Sequence, residues 1–367
     1  MRAAVWVGAI VLLTGTPAAG QEAKPNVVAR FDGHRGGVAA VVFNPSLPLV
    51  ATGGGNGVVR VWEEKSGKLV YRIDPQRQFG ARVNHIGFSA DGWYLSTSSK
   101  NAVVVWDLAP PAKKDPPETT DPEPRPMAPR QIPIVFEDNQ GSDPVKIGVV
   151  TGNRKRCFYA VTEGARVAVN SASFANPVEG GTSDELRGVF TPLAVAAMPD
   201  PESELVALYG TIKSADRSEP AVAFVGLGDP RVVGRGVLRA AVPGRPVSIA
   251  FAPDGRWLVA CNGEDLMYWR VPGSQVVEGD PKFFTNVSAF AAAPGPNGLV
   301  AFASPPEDGK KVRVTIADLK GPQPKALTAY ATDIDRVSAL AFNPDGTLLA
   351  VADDIEGVVQ LWSLEKK

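Results

Sequence analysis

The sequence is poor in the residues that build metal, redox and nucleophilic sites. Among 367 residues there are two histidines and two cysteines, and Cys-x-x-Cys-His and Gly-x-Ser-x-Gly motifs are absent. The glycine-rich stretch 53–57 lacks the Gly-Lys-Ser/Thr of a phosphate-binding loop, so it indicates a hairpin turn. Cys157 and Cys261 lie in separate apolar runs, and we expect two buried thiols. The sequence therefore predicts no metal, no cofactor and no catalytic residue.

An excess of positive charge is also missing. Lysine and arginine number 38 and aspartate and glutamate 39, which gives a formal net charge of −1. Nucleic-acid binding relies on a basic surface that neutralises phosphates. This composition therefore predicts no nucleic-acid partner.

The apolar run at the start of the chain is too short to cross a membrane. Ala3–Leu13 would rise about 17 Å as a helix, against a hydrocarbon core of ~30 Å. Arg2 precedes this run and the small residues Thr14–Gly20 follow it, which is typical of a signal peptide. We expect residues 1–20 to be removed near Gly20, and the mature chain to be periplasmic or secreted. A membrane anchor is the disfavoured alternative.

Short apolar strands separated by turn residues make up the rest of the chain. In Gly33–Glu63 the pattern predicts strands over Val38–Phe43, Leu47–Thr52 and Val58–Trp62, and a fourth follows at Leu69–Ile73. The stretch opens with Gly-His and closes with Val-Trp and an acid. In these features it resembles the WD40 repeat, the four-stranded blade of a β-propeller.

Further copies of the pattern follow along the chain. Trp106, Trp269 and Trp362 end later third strands, and Trp62 and Trp106 are 44 residues apart, within the ~40–45 residues typical of this repeat. The third, fourth and sixth copies lack the tryptophan. The resemblance implies an all-β fold over residues 24–367, a seven-bladed propeller of four-stranded antiparallel blades. The residue count also allows an alternative with eight blades.

Two segments depart from the repeat. The last blade lacks an outer strand and residues 26–32 lack a sheet, so we expect this N-terminal strand to complete the last blade and close the ring. Residues 110–133 are rich in proline and charge, which predicts a solvated loop inserted after the second blade. A proline-rich recognition motif is the alternative for that segment.

The resemblance assigns structural roles to several polar residues. In the first blade His34, Thr52, Asn56 and Trp62 match a buried hydrogen-bonded set, with Asn56 in place of the usual aspartate. We expect this set to be structural and not catalytic. The second histidine, His85, is predicted to be a hydrogen-bonded residue of a sheet.

Arginines recur at one repeat position. Six residues before the aligned phenylalanine of the first strand the second, fifth and seventh blades have Arg82, Arg245 and Arg336. The first blade has Gly37 there, with Arg35 two residues earlier. In WD40 proteins this position lies on the top face beside the channel. We call these four arginines the arginine rim, and they predict an acidic protein partner. Solvated charges without a role are the alternative.

These observations predict an exported, non-catalytic, monomeric scaffold that binds a protein on its top face. One alternative is a propeller enzyme, similar to a lactonase or a quinoprotein, with a site at the channel mouth. The other is a structural component of the cell envelope that has no discrete partner.

Overall fold

The computed structural model describes residues 23–74, 82–83, 85–89, 91–98, 102–108, 130–137, 148–153, 156–163, 166–173, 176–177, 181–182, 190–198, 205–214, 217–226, 232–236, 248–252, 255–262, 265–271, 278–294, 298–305, 311–319 and 325–365. Within these ranges the regular elements are 29 β-strands. The predicted all-β class is confirmed. The predicted signal peptide, residues 1–20, lies outside the described residues.

The described residues form seven sheets, numbered here in chain order, and neighbouring strands within each sheet pair antiparallel. The first sheet contains β2 (Val38–Phe43), β3 (Leu49–Gly54), β4 (Val59–Glu63) and β5 (Leu69–Ile73). The second contains β6 (His85–Phe88), β7 (Tyr94–Ser98), β8 (Ala102–Asp107) and β9 (Arg130–Glu137). The third contains β10 (Gly148–Asn153), β11 (Arg156–Glu163), β12 (Arg166–Ser173), β13 (Asn176–Pro177) and β14 (Gly181–Thr182). The fourth contains β15 (Phe190–Ala197), β16 (Leu205–Ser214), β17 (Arg217–Gly226) and β18 (Val232–Gly236).

The remaining three sheets follow the same order. The fifth contains β19 (Ser248–Phe251), β20 (Trp257–Cys261), β21 (Asp265–Arg270) and β22 (Glu278–Thr285). The sixth contains β23 (Ala289–Ala292), β24 (Leu299–Ser304), β25 (Arg313–Asp318) and β26 (Lys325–Ala331). The seventh contains β27 (Val337–Phe342), β28 (Leu348–Asp353), β29 (Val359–Ser363) and, at its outer edge, β1 (Asn26–Phe31).

The first strand of the chain therefore lies in the sheet of the last three. β1 pairs antiparallel with β29, with Phe31 opposite Val359 and Asn26 opposite Ser363. The aromatic ring of Phe31 stacks on Trp62 of the first sheet, with centroids 5.3 Å apart. β1 thus contributes both a strand to the seventh sheet and a buried side chain to the contact with the first.

The strand bounds in the first sheet match the predicted ones in part. β2 and β5 have the predicted bounds, whereas β3 begins at Leu49 and not at Leu47. The difference arises from Asn44, whose Oδ1 accepts hydrogen bonds from the amides of Ser46 (2.9 Å) and Leu47 (2.8 Å). These bonds keep residues 44–47 in a turn, so the strand starts later.

The proline-rich segment ends earlier than predicted. Residues 130–133 were assigned to the loop, but they belong to β9, the outer strand of the second sheet. The register shifts within this pairing, with Trp106 opposite Gln131 but Val104 opposite Val135. Pro133 lies in the resulting bulge of an edge strand, where the missing N–H of proline is tolerated. Residues 110–129 lie outside the described residues.

The third sheet departs from the predicted four strands, because it has five. Two short strands, β13 and β14, both pair with β12. β13 pairs with residues 172–173 and β14 with residues 168–169, so the two together occupy the place of one outer strand. The sequence pattern predicted neither of these two short strands.

The hydrophobic core lies between neighbouring sheets. One cluster combines Val41 and Val50 of the first sheet with Ala350 and Leu361 of the seventh. Equivalent clusters join the first sheet to the second, the fourth to the fifth, the fifth to the sixth and the sixth to the seventh. The first strands of successive sheets contact one another in the order β2, β6, β10, β15, β19, β23 and β27, and β27 contacts β2. The sheets thus pack face to face, as in a propeller.

Candidate functional site

Two of the predicted rim arginines meet at one carboxylate. The Nη2 atom of Arg82 lies 2.8 Å from Oδ1 of Asp354, and Nε of Arg336 lies 3.3 Å from Oδ2. Arg82 precedes the second sheet and Arg336 precedes β27 of the seventh, so the contact spans the first sheet between them. The two arginine side chains are 48% and 71% exposed, whereas the Asp354 side chain is 10% exposed.

A glycine of the first sheet makes room for this contact. Gly37 has φ of +83°, and a Cβ atom placed there would lie 1.9 Å from the backbone oxygen of Asp354. Any side chain at this position would displace the turn that bears the carboxylate. This close approach explains why the first blade has glycine where three other blades have arginine.

The turn that presents Asp354 is held by backbone and side-chain hydrogen bonds. The Asp354 amide donates to the Arg336 carbonyl oxygen at 3.0 Å. The buried Asp353 carboxylate accepts from the amides of Ile355 (2.7 Å) and Glu356 (3.1 Å), an Asx-type turn. Ile355 itself is 59% exposed. The site therefore combines two guanidiniums, one internal carboxylate and an exposed apolar side chain.

The other two rim arginines have different positions. Arg35 is exposed, two residues before Gly37. Arg245 lies outside the described residues. The structure therefore brings Arg82 and Arg336 together, and Arg35 lies in the loop that leads to Gly37.

Sequence reasoning missed Asp354, Asp353 and Ile355. The signal was present, because Asp353 and Asp354 stand at the end of β28, where the first sheet has Gly54 and Gly55. Asp-containing turns are common, however, and need no function. Only the three-dimensional contact with arginines from two sheets distinguishes Asp354 from the other turn aspartates.

The predicted set around His34 is joined at Thr52. Nε2 of His34 lies 2.7 Å from Oγ1 of Thr52, and Nε1 of Trp62 donates to the same oxygen at 2.8 Å. Asn56 does not reach the histidine, because its Oδ1 accepts from the Val58 amide at 3.3 Å. The place next to His34 is taken by Arg60, whose Nη1 lies 3.0 Å from Nδ1.

This geometry fixes the proton on the His34 ring. Since a guanidinium only donates, Nδ1 must accept from Arg60, and Nε2 carries the proton and donates to Thr52. Burial, with a smaller contribution from the Arg60 charge, lowers the pKa of His34 to about 3. His34 is therefore a neutral residue of the interior at physiological pH, with both ring nitrogens bonded.

The other marker tryptophans are buried with different partners. Trp106 donates to Thr97 Oγ1 at 2.9 Å, which repeats the Trp62–Thr52 contact. Trp362 donates to Gln360 Oε1 at 2.9 Å, because Val351 faces Gln360 and offers no hydroxyl. The indole nitrogen of Trp269 is buried without a hydrogen-bond partner.

The prediction that His85 is hydrogen-bonded within its sheet is wrong for Nε2, which is buried and has no partner. Burial lowers the pKa of His85 to about 4, so the ring is neutral.

Cys261 is a buried thiol whose Sγ lies 3.7 Å from the Val287 carbonyl oxygen. The side chain of Cys157 lies outside the described part.

Within the described ranges, no helix is long and apolar enough to span a membrane. The same ranges contain no group of three or more histidine, cysteine, aspartate or glutamate side chains placed to hold a metal ion.

Comparison with known families and proteins identifies the repeat. The family model "WD domain, G-beta repeat" matches residues 25–63 and 325–363. The chain is 33% identical over 79 residues to the small ribosomal subunit protein RACK1y of Oryza sativa subsp. japonica, which covers 22% of each chain. It is 29% identical over 89 residues to eukaryotic translation initiation factor 3 subunit I of Phaeosphaeria nodorum, covering 23% of this chain and 26% of that protein. The chain thus matches about a quarter or less of the length of these relatives.

A solved structure supports the fold over most of the chain. The β-propeller domain of Cps50 (Swd1) from Myceliophteria thermophila is similar, with a TM-score of 0.67 and 12% sequence identity. The likeness covers 93% of this chain and 100% of that one. The chain therefore carries WD40 repeats at residues 25–63 and 325–363, and its fold over nearly all of its length is that of a β-propeller.

Proposed function

We propose that the chain is a non-catalytic protein-binding scaffold. Its proposed architecture is a ring of seven blades, closed by β1. Seven sheets among the described residues, the pairing of β1 with β29 and the contact between β27 and β2 support this ring. A rigid ring can present loops from several blades on one face and needs no chemistry to bind.

The partner is an acidic protein that binds the arginine rim. The observation that carries this proposal is the meeting at Asp354 of Arg82, which precedes the second sheet, and Arg336, which precedes β27 of the seventh. Exposed guanidiniums that converge from two blades favour a carboxylate-bearing surface, because a guanidinium holds a carboxylate through two parallel hydrogen bonds. Arg35 and Arg245 would extend the same surface.

Two relatives of the chain support this role. One is a small ribosomal subunit protein and the other a subunit of a translation initiation factor, so both are components of larger assemblies. For this chain we propose a different compartment. Residues 1–20 would direct export, and the mature monomer would act in the periplasm or outside the cell.

Co-purification tests the proposal. The tagged mature chain is used to capture proteins from an envelope extract of its source, which are identified by quantitative mass spectrometry. We expect a defined partner that is lost from the triple variant Arg82→Glu, Arg245→Glu, Arg336→Glu, since reversal replaces attraction with repulsion. Reversal of three lysines that are not members of the arginine rim, Lys65, Lys113 and Lys114, serves as the control and should retain the partner.

Two results would contradict the scaffold. One is a wild-type chain that captures no specific protein, as a structural envelope component would. The other is stoichiometric calcium or zinc in the purified chain, which would favour a propeller enzyme. If the folded arginine variant retains the same partner, the scaffold function still holds, but the arginine rim is not the surface that binds the partner.

A further inference from the structure

The Arg82–Arg336 pair retains unused hydrogen-bond donors. Arg82 contacts Asp354 through Nη2 and Arg336 through Nε, whereas each guanidinium has five N–H donors. Two positive charges share one carboxylate that is 10% exposed, so the group has a surplus of one positive charge. Both arginine side chains are about half exposed or more. The remaining donors are therefore available to a ligand from solution.

Most acidic groups around this pair have partners of their own. Asp353 accepts two backbone amides of its turn. Glu356 forms an ion pair with Arg30, with 3.6 Å between Oε2 and Nη2. The exposed carboxylate of Asp335 precedes Arg336 in the chain and has no ion-pair partner in the described residues. It is the group that most directly competes with an incoming anion.

An exposed apolar side chain accompanies the two arginines. Ile355 directly follows Asp354 and is 59% exposed, although its amide is fixed by Asp353 at 2.7 Å. The other large exposed apolar residues of the described part, Val27, Val28 and Leu327, lie on the outer strands β1 and β26. Ile355 is thus an apolar contact held in a rigid turn next to a charged site. Apolar and arginine side chains placed together are typical anchors of protein interfaces.

We infer that Arg82, Arg336 and Ile355 recognise a partner segment in which an aspartate or glutamate lies beside an apolar side chain. This inference rests on the proposed scaffold function. The partner carboxylate receives the unused guanidinium donors, and the apolar side chain packs on Ile355. Asp354 acts as a positioning residue, because it holds both guanidiniums in place before the partner arrives and so reduces the entropy lost on binding.

Selection from a random peptide library displayed on phage tests this inference. The wild-type chain is the bait, and the triple variant Arg82→Gln, Arg336→Gln, Asp354→Asn is used for counter-selection. Asp354→Asn is included because loss of both arginines would leave a nearly buried carboxylate without a cation. We expect enriched peptides in which an acidic residue adjoins valine, isoleucine, leucine or phenylalanine.

Synthetic copies of the enriched peptides give the quantitative readout. Replacing their acid by the amide, or Ile355 by serine in the bait, should weaken binding at least about tenfold, or ~1.4 kcal/mol. Binding should be unchanged in the control Arg72→Gln, Arg270→Gln, which removes two exposed arginines of the first and fifth sheets that lie outside this site. Asp335→Asn should tighten binding, and this variant keeps the ion pairs intact if the triple variant fails to fold.

Three outcomes would overturn the inference: no peptide enriched on wild type over the variant, enriched peptides without an acid, or unchanged binding in Ile355→Ser and Asp335→Asn. If co-purification succeeds while any of these is observed, the scaffold function stands and this recognition site does not. If co-purification finds no partner, the proposed scaffold function itself is contradicted.

Discussion

At the scale of single residues, one hydroxyl joins the buried polar groups of the first sheet. Thr52 Oγ1 meets both His34 Nε2 and Trp62 Nε1. Its counterpart in the second sheet, Thr97, meets Trp106 alone. Both hydroxyls also donate to a carbonyl oxygen of the neighbouring strand at 3.4 Å. Thr52 therefore makes one buried contact, with His34, that Thr97 lacks.

This difference gives a matched pair of variants. Thr52→Val should lower the free energy of unfolding by about 2–6 kcal/mol, because it leaves two buried groups without a partner at ~1–3 kcal/mol each. Thr97→Val leaves one indole nitrogen and should cost about 1–3 kcal/mol. Urea unfolding followed by tryptophan fluorescence measures both. Equal losses in the two variants would show that the His34 contact adds no stability.

At the scale of elements, the turn after β28 of the seventh sheet packs directly against the loop that precedes the first sheet. The turn around Asp354 passes over Gly37, where a Cβ atom would lie 1.9 Å from a backbone oxygen. Gly36 has a similar φ of +81°, but a Cβ atom there would meet nothing within 4 Å. Substitutions at the two neighbouring glycines therefore distinguish the free-energy cost of a positive φ from that of a steric clash.

Alanine at each glycine tests this account. Gly36→Ala should lose about 1–2 kcal/mol, the usual cost of a left-handed conformation for a residue with a side chain. Gly37→Ala carries the same cost and must also displace the Asp354 turn, so it should be clearly less stable and should separate Arg82 from Arg336. Urea midpoints compare the two variants. A Gly37→Ala variant as stable as Gly36→Ala would refute the close approach.

The strands also show which parts of the fold and of the site could be predicted from the sequence. Alternation and turn residues predicted β2 and β5 to the residue and marked the repeats that end in tryptophan. The same signals failed at β9, since a bulge in an edge strand accommodates Pro133. They also failed at β13 and β14, because two-residue strands carry no periodicity. Of the site, the arginines follow from the repeat position, whereas Asp354 depends on a contact between residues 272 positions apart.

At the scale of the whole molecule, the site lies where the loops of the first, second and seventh sheets meet. Arg82 precedes the second sheet and Gly37 the first, whereas Asp354 and Arg336 lie in loops next to β28 and β27 of the seventh. The seventh sheet takes its outer strand from β1, and Phe31 at the end of β1 stacks on Trp62. Loss of β1 would therefore expose an apolar sheet edge and weaken the contact between the last and first sheets.

A comparison of two truncated chains tests the ring most directly. One chain begins at residue 23 and keeps β1, whereas the other begins at residue 33 and lacks it. Calorimetry and size-exclusion chromatography should show that the shorter chain melts well below the longer one and self-associates. Phe31→Ala in the longer chain should lie between them, with a loss of about 3–5 kcal/mol for a buried aromatic ring. A shorter chain that stays monomeric and melts at the same temperature would contradict closure by β1.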